Sequence, residues 1–215
     1  MSRPKEHDEH TAAALLNAAE RVVAEDGAAG LSVRRVADDA GTTTRAVYSV
    51  FGSKEALVVA LGARAFDLLG SSVGSVPQTT DPRDDLVQAG LVFRRFAREH
   101  PALFQIAIQR VDVSAEEGQG FADAGFRALA VLEDRIARLG ESGQLGGRAV
   151  GSAVWEFHAL CEGLAVLEAR CLLRNDEAEA LWVDALSALV RGWDSTESSR
   201  SATALSRAID SADPR

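Results

Sequence analysis

Apolar residues recur three and four positions apart along almost the whole chain, and no stretch alternates apolar and polar residues between turn signals. The pattern predicts an all-α protein of about nine helices. In residues 11–26, Leu15, Leu16, Ala19, Val22 and Val23 share one face, and Gly27 is suited to ending that helix. Ser32 can cap a second helix whose inward face is Val33, Val36, Ala37 and Ala40, closed by Gly41 after two turns. Thr43 can cap a third, with Ala46, Val47 and Val50 inward and Phe51-Gly52 at its end, before Ser53 opens a long fourth helix reaching about Leu69. Two short helices joined by a tight glycine turn are the sequence form of a helix-turn-helix.

Downstream, Gly70 to Thr80 is rich in Ser, Gly and Thr and reads as a loop. A helix from about Pro82 to Glu99 must end before Pro101, and a short apolar helix follows from Ala102 to Gln109. Another runs from about Ala115 to Leu139, and the segment GESGQLGG separates it from two long final helices, about Ala149–Leu173 and Asp176–Trp193. The minimal connection Arg174-Asn175 makes those two an antiparallel hairpin, with Asp176 and Glu179 spaced as a capping box. The expected organisation is a flexible tail at 1–10, a helix-turn-helix domain at 11–54, a helical body at 55–194 and a disordered tail at 195–215, where Ser, Asp, Glu and Arg dominate.

With 215 residues, 47% of them hydrophobic, the chain can bury a real core. No run of eighteen apolar residues occurs and Met1 to His10 is charged, so the expected location is the cytoplasm, without membrane span or secretory signal. Cys161 and Cys171 would lie about 15 Å apart along one helix, too far for a disulfide, and are read as buried thiols; no metal or other cofactor is expected. The net charge of -9 argues against a surface that coats nucleic acid. Between Ser32 and Leu57, however, Arg34, Arg35, Arg45 and Lys54 outnumber Asp38, Asp39 and Glu55.

That local surplus coincides with the helix-turn-helix, whose second short helix enters a major groove about 12 Å wide and offers the side chains of its first turns to base edges. Thr42, Thr43, Thr44 and Arg45 supply such side chains, Arg45 with the fork that suits guanine, and Ser49 lies one turn on. Tyr48 can donate its hydroxyl to a phosphate, and Lys54 sits where helix-terminal amides also favour an anion. Ser32 and Arg34 hold the equivalent place at the start of the second helix. The stretch AGTTTRAVYSVFGSKEAL from Ala40 to Leu57, preceded by LSVRRVADD, resembles the signature of the tetracycline-repressor (TetR) family across residues 11–60. The resemblance implies a bacterial regulator with a three-helix DNA-binding head and a ligand-binding, dimerising body. It further implies a palindromic operator released by a small molecule, with Thr43, Thr44, Arg45, Tyr48, Ser49 and Lys54 facing DNA. HPALF at 100–104 and VWEFHALCEGLAVLEAR at 154–170 resemble one subgroup of that family, though here Glu162, not a histidine, precedes Gly163.

The last two helices carry stripes too wide for a single neighbour: Val150, Val154, Phe157, Cys161, Leu164 and Leu172 on one, Leu181, Trp182, Leu186, Leu189, Val190 and Trp193 on the next. A homodimer through a four-helix bundle accounts for that breadth, with Val150, Val154, Phe157, Cys161, Leu181, Leu186, Leu189 and Trp193 at the interface. Paired heads about 34 Å apart also need a dimer. Candidate walls of an effector pocket are Phe66, Leu69, Phe93, Phe96, Phe104, Ile108, Phe121, Phe126, Leu129 and Trp155, with Gln105, Gln109, His158 and Glu162 as polar groups to orient a largely apolar ligand. Two rival functions stand beside this one. An enzyme with an attached DNA-binding head would use His158 with Glu156 or Glu162 for acid-base work, but no phosphate loop, metal cluster or nucleophile motif accompanies them. A ligand carrier whose head no longer binds DNA would have no use for Arg45, Tyr48 and Lys54.

Overall fold

The computed structural model describes residues 4–108, 115–173 and 175–194. Among them are nine α-helices and no strand: α1 (Pro4–Gly30), α2 (Val33–Asp39), α3 (Thr44–Phe51), α4 (Lys54–Gly74), α5 (Pro82–Glu99), α6 (Pro101–Ile108), α7 (Ala115–Glu141), α8 (Val150–Ala169) and α9 (Asn175–Gly192). The expected tail at 195–215, Arg174 and Gln109 lie outside the described residues.

Local rules explain most boundaries. The hydroxyls of Ser32, Thr43 and Ser53 each accept a bond from the backbone N–H three residues on, at 3.2, 3.3 and 2.9 Å, and so satisfy the free donors at the starts of α2, α3 and α4. Gly41, at φ 64°, closes α2 with Thr42 N–H donating to Ala37 C=O and Gly41 N–H to Asp38 C=O. Gly27 breaks α1 as expected, with φ 72° and ψ 175°, although a last turn reaches Gly30. The flexible tail expected at 1–10 is corrected: residues 4–10 are helical and continue α1, because Pro4 suits a first helical position and no glycine or proline follows before Gly27. In the same way α4 runs on to Gly74, so the loop expected from Gly70 is shorter.

The chain divides into two compact units that do not follow the expected 54/55 boundary: residues 1–72 with 95–128, and residues 73–94 with 129–215. In the first, Leu15, Ala18, Ala19, Val22 and Val23 of α1 are buried with Val36, Val47, Leu57, Leu61 and Ile106, and α1 packs on α2, α3 and α6. In the second, Leu86, Ile136, Leu139, Trp182, Leu186 and Trp193 are the large buried side chains. There α8 and α9 pack antiparallel, since Trp182 Nε1–H donates to Glu168 at 3.1 Å and Trp193 Nε1–H to Glu156 at 2.8 Å. α4 and α8 are long and apolar enough to cross a membrane by length and composition, yet Leu57, Leu61 and Leu69 of the one and Val154, Phe157 and Leu164 of the other are buried within the protein.

The second unit also holds the buried charges. Arg94 binds Glu168 through Nε at 3.0 Å and Nη2 at 2.9 Å, and Glu179 through Nη1 at 3.0 Å; these bonds, opposed by burial, hold its guanidinium above its ordinary value. Glu179, expected in a capping box with Asp176, meets this buried arginine through Oε2, and the Asp176 side chain lies outside the described residues. Burial pushes the Asp85 carboxyl up, but bonds from Arg138 and from the Thr79 hydroxyl and N–H outweigh that and leave it below the usual range. Arg135 donates to the carbonyls of Gly74 and Val76, and desolvation lowers its pKa. Cys161 is buried, which raises its thiol pKa, whereas Cys171 is exposed, a correction to the expectation of two buried thiols. α8 stops at Ala169 because Cys171 takes φ 56°, with Leu172 N–H donating to Leu167 C=O and Cys171 N–H to Glu168 C=O.

Candidate nucleic-acid interface

The helix α3 is anchored on one side and bare on the other. Val47 is fully buried and Ala46, Val50 and Phe51 are half-buried, while Thr44, Arg45, Tyr48 and Ser49 are exposed. Positions 44, 45, 48 and 49 lie three and four apart and so make one face. Tyr48 is 51% exposed, so its ring and hydroxyl are free to meet a partner. Capping by Ser32 and Thr43 uses each hydroxyl as an acceptor, leaving its proton available for donation to a phosphate.

Electrostatics separate the cations of this unit into two kinds. Arg21 grips Asp39 at 2.7 Å and Arg35 reaches Glu25 at 3.2 Å and Asp26 at 3.0 Å, so both clamp α2 onto α1. Arg64 holds Glu20 at 3.2 Å. Arg34 is 88% exposed with Asp38 at 4.0 Å, the limit of an ion pair. Among the described residues Arg45 and Lys54 make no ion pair or hydrogen bond. The acidic protein thus neutralises its structural arginines and leaves positive charge at the start of α3 and the start of α4, where a groove with a phosphate wall would meet it.

The other candidate residues separate as well. Of the proposed pocket wall, Phe66, Phe96, Phe104, Ile108 and Phe126 belong to the first unit, and Phe93, Trp155, His158 and Glu162 to the second. Phe96 and Phe104 are buried core, Phe66 is half-buried, and Ile108, Gln105 and Phe126 are exposed, the last at 67%. In the second unit the His158 ring meets Phe93 and Trp155 edge-on at 6.1 and 5.9 Å, and its Nε2 lies 3.3 Å from Glu162. Desolvation lowers the pKa of His158, and Glu162 only partly restores it. Of the eight residues assigned to a dimer face, Val154, Phe157, Cys161, Leu186 and Trp193 are buried within the single chain, Val150 and Leu189 are half-buried, and Leu181 is exposed. The five buried residues hold α8 and α9 in their own core, so a partner would meet the other sides of these helices. Those sides carry Trp155, 59% exposed, with Leu167 and Leu181, none of which except Leu181 was assigned there. Among the described residues no group of three His, Cys, Asp or Glu side chains could hold a metal ion.

Two family models match the chain: bacterial regulatory proteins of the tetR family over residues 15–61, and the tetracyclin repressor-like C-terminal domain over residues 86–189. The chain belongs to the TetR family. Its members are DNA-binding transcriptional regulators with a ligand-binding C-terminal domain, and this chain carries both parts. Among solved structures it is similar to a protein of unknown function from Rhodococcus sp. RHA1, at 21% identity, TM-score 0.75, covering 85% of this chain and 94% of that one. The TetR regulator PfmR from Thermus thermophilus matches at 21% identity, TM-score 0.63, covering 82% and 97%. FadR from Bacillus subtilis, solved in complex with stearoyl-CoA, matches at 17% identity, TM-score 0.67, covering 83% and 97%. At these identities the likeness speaks for the fold. No curated protein matches the sequence.

Proposed function

We propose that this TetR-family chain is a cytoplasmic, ligand-released repressor that binds a palindromic operator as a homodimer. The observation that carries the reading is the face of α3, where exposed Thr44, Arg45, Tyr48 and Ser49 stand beside unpaired Lys54, while Arg21, Arg35 and Arg64 of the same unit are held in ion pairs. Thr44 and Arg45 read base edges; Tyr48, Lys54, Ser32, Thr43 and Arg34 grip phosphate on either side. A carrier that had lost its DNA target would leave this face without a use, and acid-base catalysis by His158 has the lone carboxylate of Glu162 beside it and nothing that marks a nucleophile.

Dimerisation is supported by the outward apolar side chains of the hairpin, Trp155 and Leu167 on α8 and Leu181 on α9. On α8, Gly151 and Gly163 have nothing within 4 Å of where a Cβ would stand, so the chain itself gives no packing reason for them. Glycine inside a helix costs about 1 kcal/mol against alanine, and close approach of a second helix would supply the reason. An effector releases DNA only if it binds a dimer whose heads are wrongly spaced more tightly than the DNA-competent one.

The test is a gel shift of the full-length protein on DNA flanking its own gene, at stated salt, with Leu181→Arg alongside. We expect a retarded band at one palindrome for the wild type, and for Leu181→Arg a monomer by sedimentation with much weakened binding. A wild-type protein that stays monomeric at micromolar concentration, or binds the flanking DNA no better than random duplex, overturns the proposal.

A further inference from the structure

On α1, Glu20 is set between the buried pairs Ala18–Ala19 and Val22–Val23, and its carboxylate faces two other elements of the first unit. Oε2 lies 3.2 Å from Nε of Arg64 on α4. Oε1 faces Nδ1 of His100 at 3.8 Å, too long for a hydrogen bond, where the His100 ring leans on that of Phe96 with centroids 5.3 Å apart. His100 is the joint between α5 and α6: its N–H donates to Phe96 C=O and its C=O accepts from Phe104 N–H, both at 2.9 Å. The carboxylate thus pairs with α4 and lies against the corner where α5 gives way to α6.

The ion pairs of α1 divide by where they lead. Arg21 with Asp39, and Arg35 with Glu25 and Asp26, join α1 to α2 inside the three-helix head, and these arginines are 56% and 51% exposed. The pair of Glu20 with Arg64 leads out of the head to α4, with the two side chains 24% and 30% exposed, so water and salt compete with it less. The division between the two compact units cuts α4 after Ser72 and α5 after Arg94. The helix that Arg64 stands on and the helix that ends at His100 are therefore two of those along which the chain passes from the head's unit into the other. None of the residues assigned to base reading or phosphate gripping lies on α1, so Glu20 is separate from the reading face.

We propose that Glu20, through Arg64, is a positioning residue for operator recognition: it fixes the angle at which α1 lies on α4 and so sets the half-site spacing that the protein accepts. This rests on the reading of the chain as an operator-binding dimer and adds what determines its spacing specificity. The apolar packing of α1 on α2, α3 and α6 holds the helix in place without fixing its direction, because hydrophobic attraction is non-directional. A carboxylate against a guanidinium does fix direction. Two heads on one palindrome must present their reading helices about 34 Å apart. A head that swings loses that freedom each time it binds, whereas a head already held does not, so the pair favours a correctly spaced palindrome and disfavours a misspaced one.

The experiment is fluorescence anisotropy of the full-length protein on the palindrome retarded from DNA flanking its own gene, the same palindrome lengthened between its half-sites, a single half-site, and random duplex. An insertion of about two base pairs moves one half-site about 7 Å along the axis. We expect the wild type to prefer the native spacing roughly a hundredfold. Glu20→Gln, neutral and of the same size, should cut that preference about tenfold, since each of two heads loses a part-buried pair, and leave half-site and random duplex within about twofold of wild type. Arg64→Gln should do the same from the α4 side and serves if Glu20→Gln does not fold. Glu20→Arg with Arg64→Glu should restore most of the preference. A variant that is merely less stable loses affinity for every duplex in proportion, so the ratio separates positioning from stability. A spacing preference unchanged in both single variants, equal losses on palindrome and half-site, or an exchanged pair no better than the singles overturns the positioning role and leaves the DNA-binding reading standing. A wild type that binds the palindrome no better than random duplex overturns that reading, and the positioning role with it.

Discussion

Removing the guanidinium of Arg94 is the sharpest test of how the second unit is held together. Its side chain is 7% exposed and that of Glu168 6%, and the pair shares a two-pronged contact at 2.9 and 3.0 Å, with Trp182 donating a further bond to Glu168. Exposed pairs elsewhere, such as Arg127–Asp67, are worth roughly 0–1 kcal/mol, because water competes for both partners. A pair this deeply buried behaves differently, since Arg94→Met leaves the Glu168 carboxylate desolvated without its cation, although Trp182 Nε1–H still donates to it. The expected loss is about 3–5 kcal/mol. At ~2–4 °C per kcal/mol for a chain of this size, that is a fall of about 6–20 °C in melting temperature. Arg94→Met with Glu168→Gln removes both charges, keeps an acceptor for the Trp182 indole N–H and should recover most of the loss, because a neutral pair of similar volume fills the space. Glu179 contributes little to the difference, since its own side chain is 71% exposed. Scanning calorimetry of wild type, the two single variants and the double variant at neutral pH gives the coupling. A single variant within one degree of wild type, or a double variant showing the sum of the single losses, would refute the reasoning.

Three further outcomes follow from named contacts. Arg45→Ala should relax operator choice at one base pair by about 1–3 kcal/mol, whereas Lys54→Ala should weaken all duplexes and flatten the salt slope by roughly one unit, read by fluorescence anisotropy over a salt series; equal losses on operator and random DNA for Arg45→Ala count against its reading role. Cys171→Gly should stabilise by about 0.5–1 kcal/mol in urea titration, because a left-handed non-glycine residue costs ~1–2 kcal/mol and the added freedom of glycine in the unfolded chain takes back less than that. His158 has a folded pKa below its ordinary value, chiefly through desolvation, so the neutral ring is favoured by folding: its contribution is complete above pH ~6.5 and is lost as pH falls from there toward the lowered value. His158→Gln should therefore flatten the fall in stability below about pH 6.5, and an unchanged pH profile would contradict the desolvation account.

The head was legible in the sequence because its determinants are local. Ser32, Thr43 and Ser53 cap helices three residues away, and Gly41 closes α2 through bonds that span five residues. The stripes of α8 and α9 are broad in the sequence, but breadth does not say which neighbour covers which side. Val154, Phe157, Cys161, Leu186 and Trp193 are buried in the core of one chain, and Trp155, which the pattern along the chain places in a pocket wall, is exposed. Likewise Phe93 and Phe96 sit three apart on α5 yet fall into different units.

The sequence alone determined an all-helical protein whose short third helix is capped and carries an exposed cation, because amphipathic period, caps and glycine turns act over a few residues. Only the tertiary structure decided that Arg94 is buried against Glu168, 74 residues away, and that Gly62 makes room for Phe121. An arginine on a helix reads as solvated until a partner from a distant segment covers it, and a helical glycine reads as a weakness until the ring it admits is known. Such pairings depend on how helices are laid together, which periodicity along a single helix does not encode.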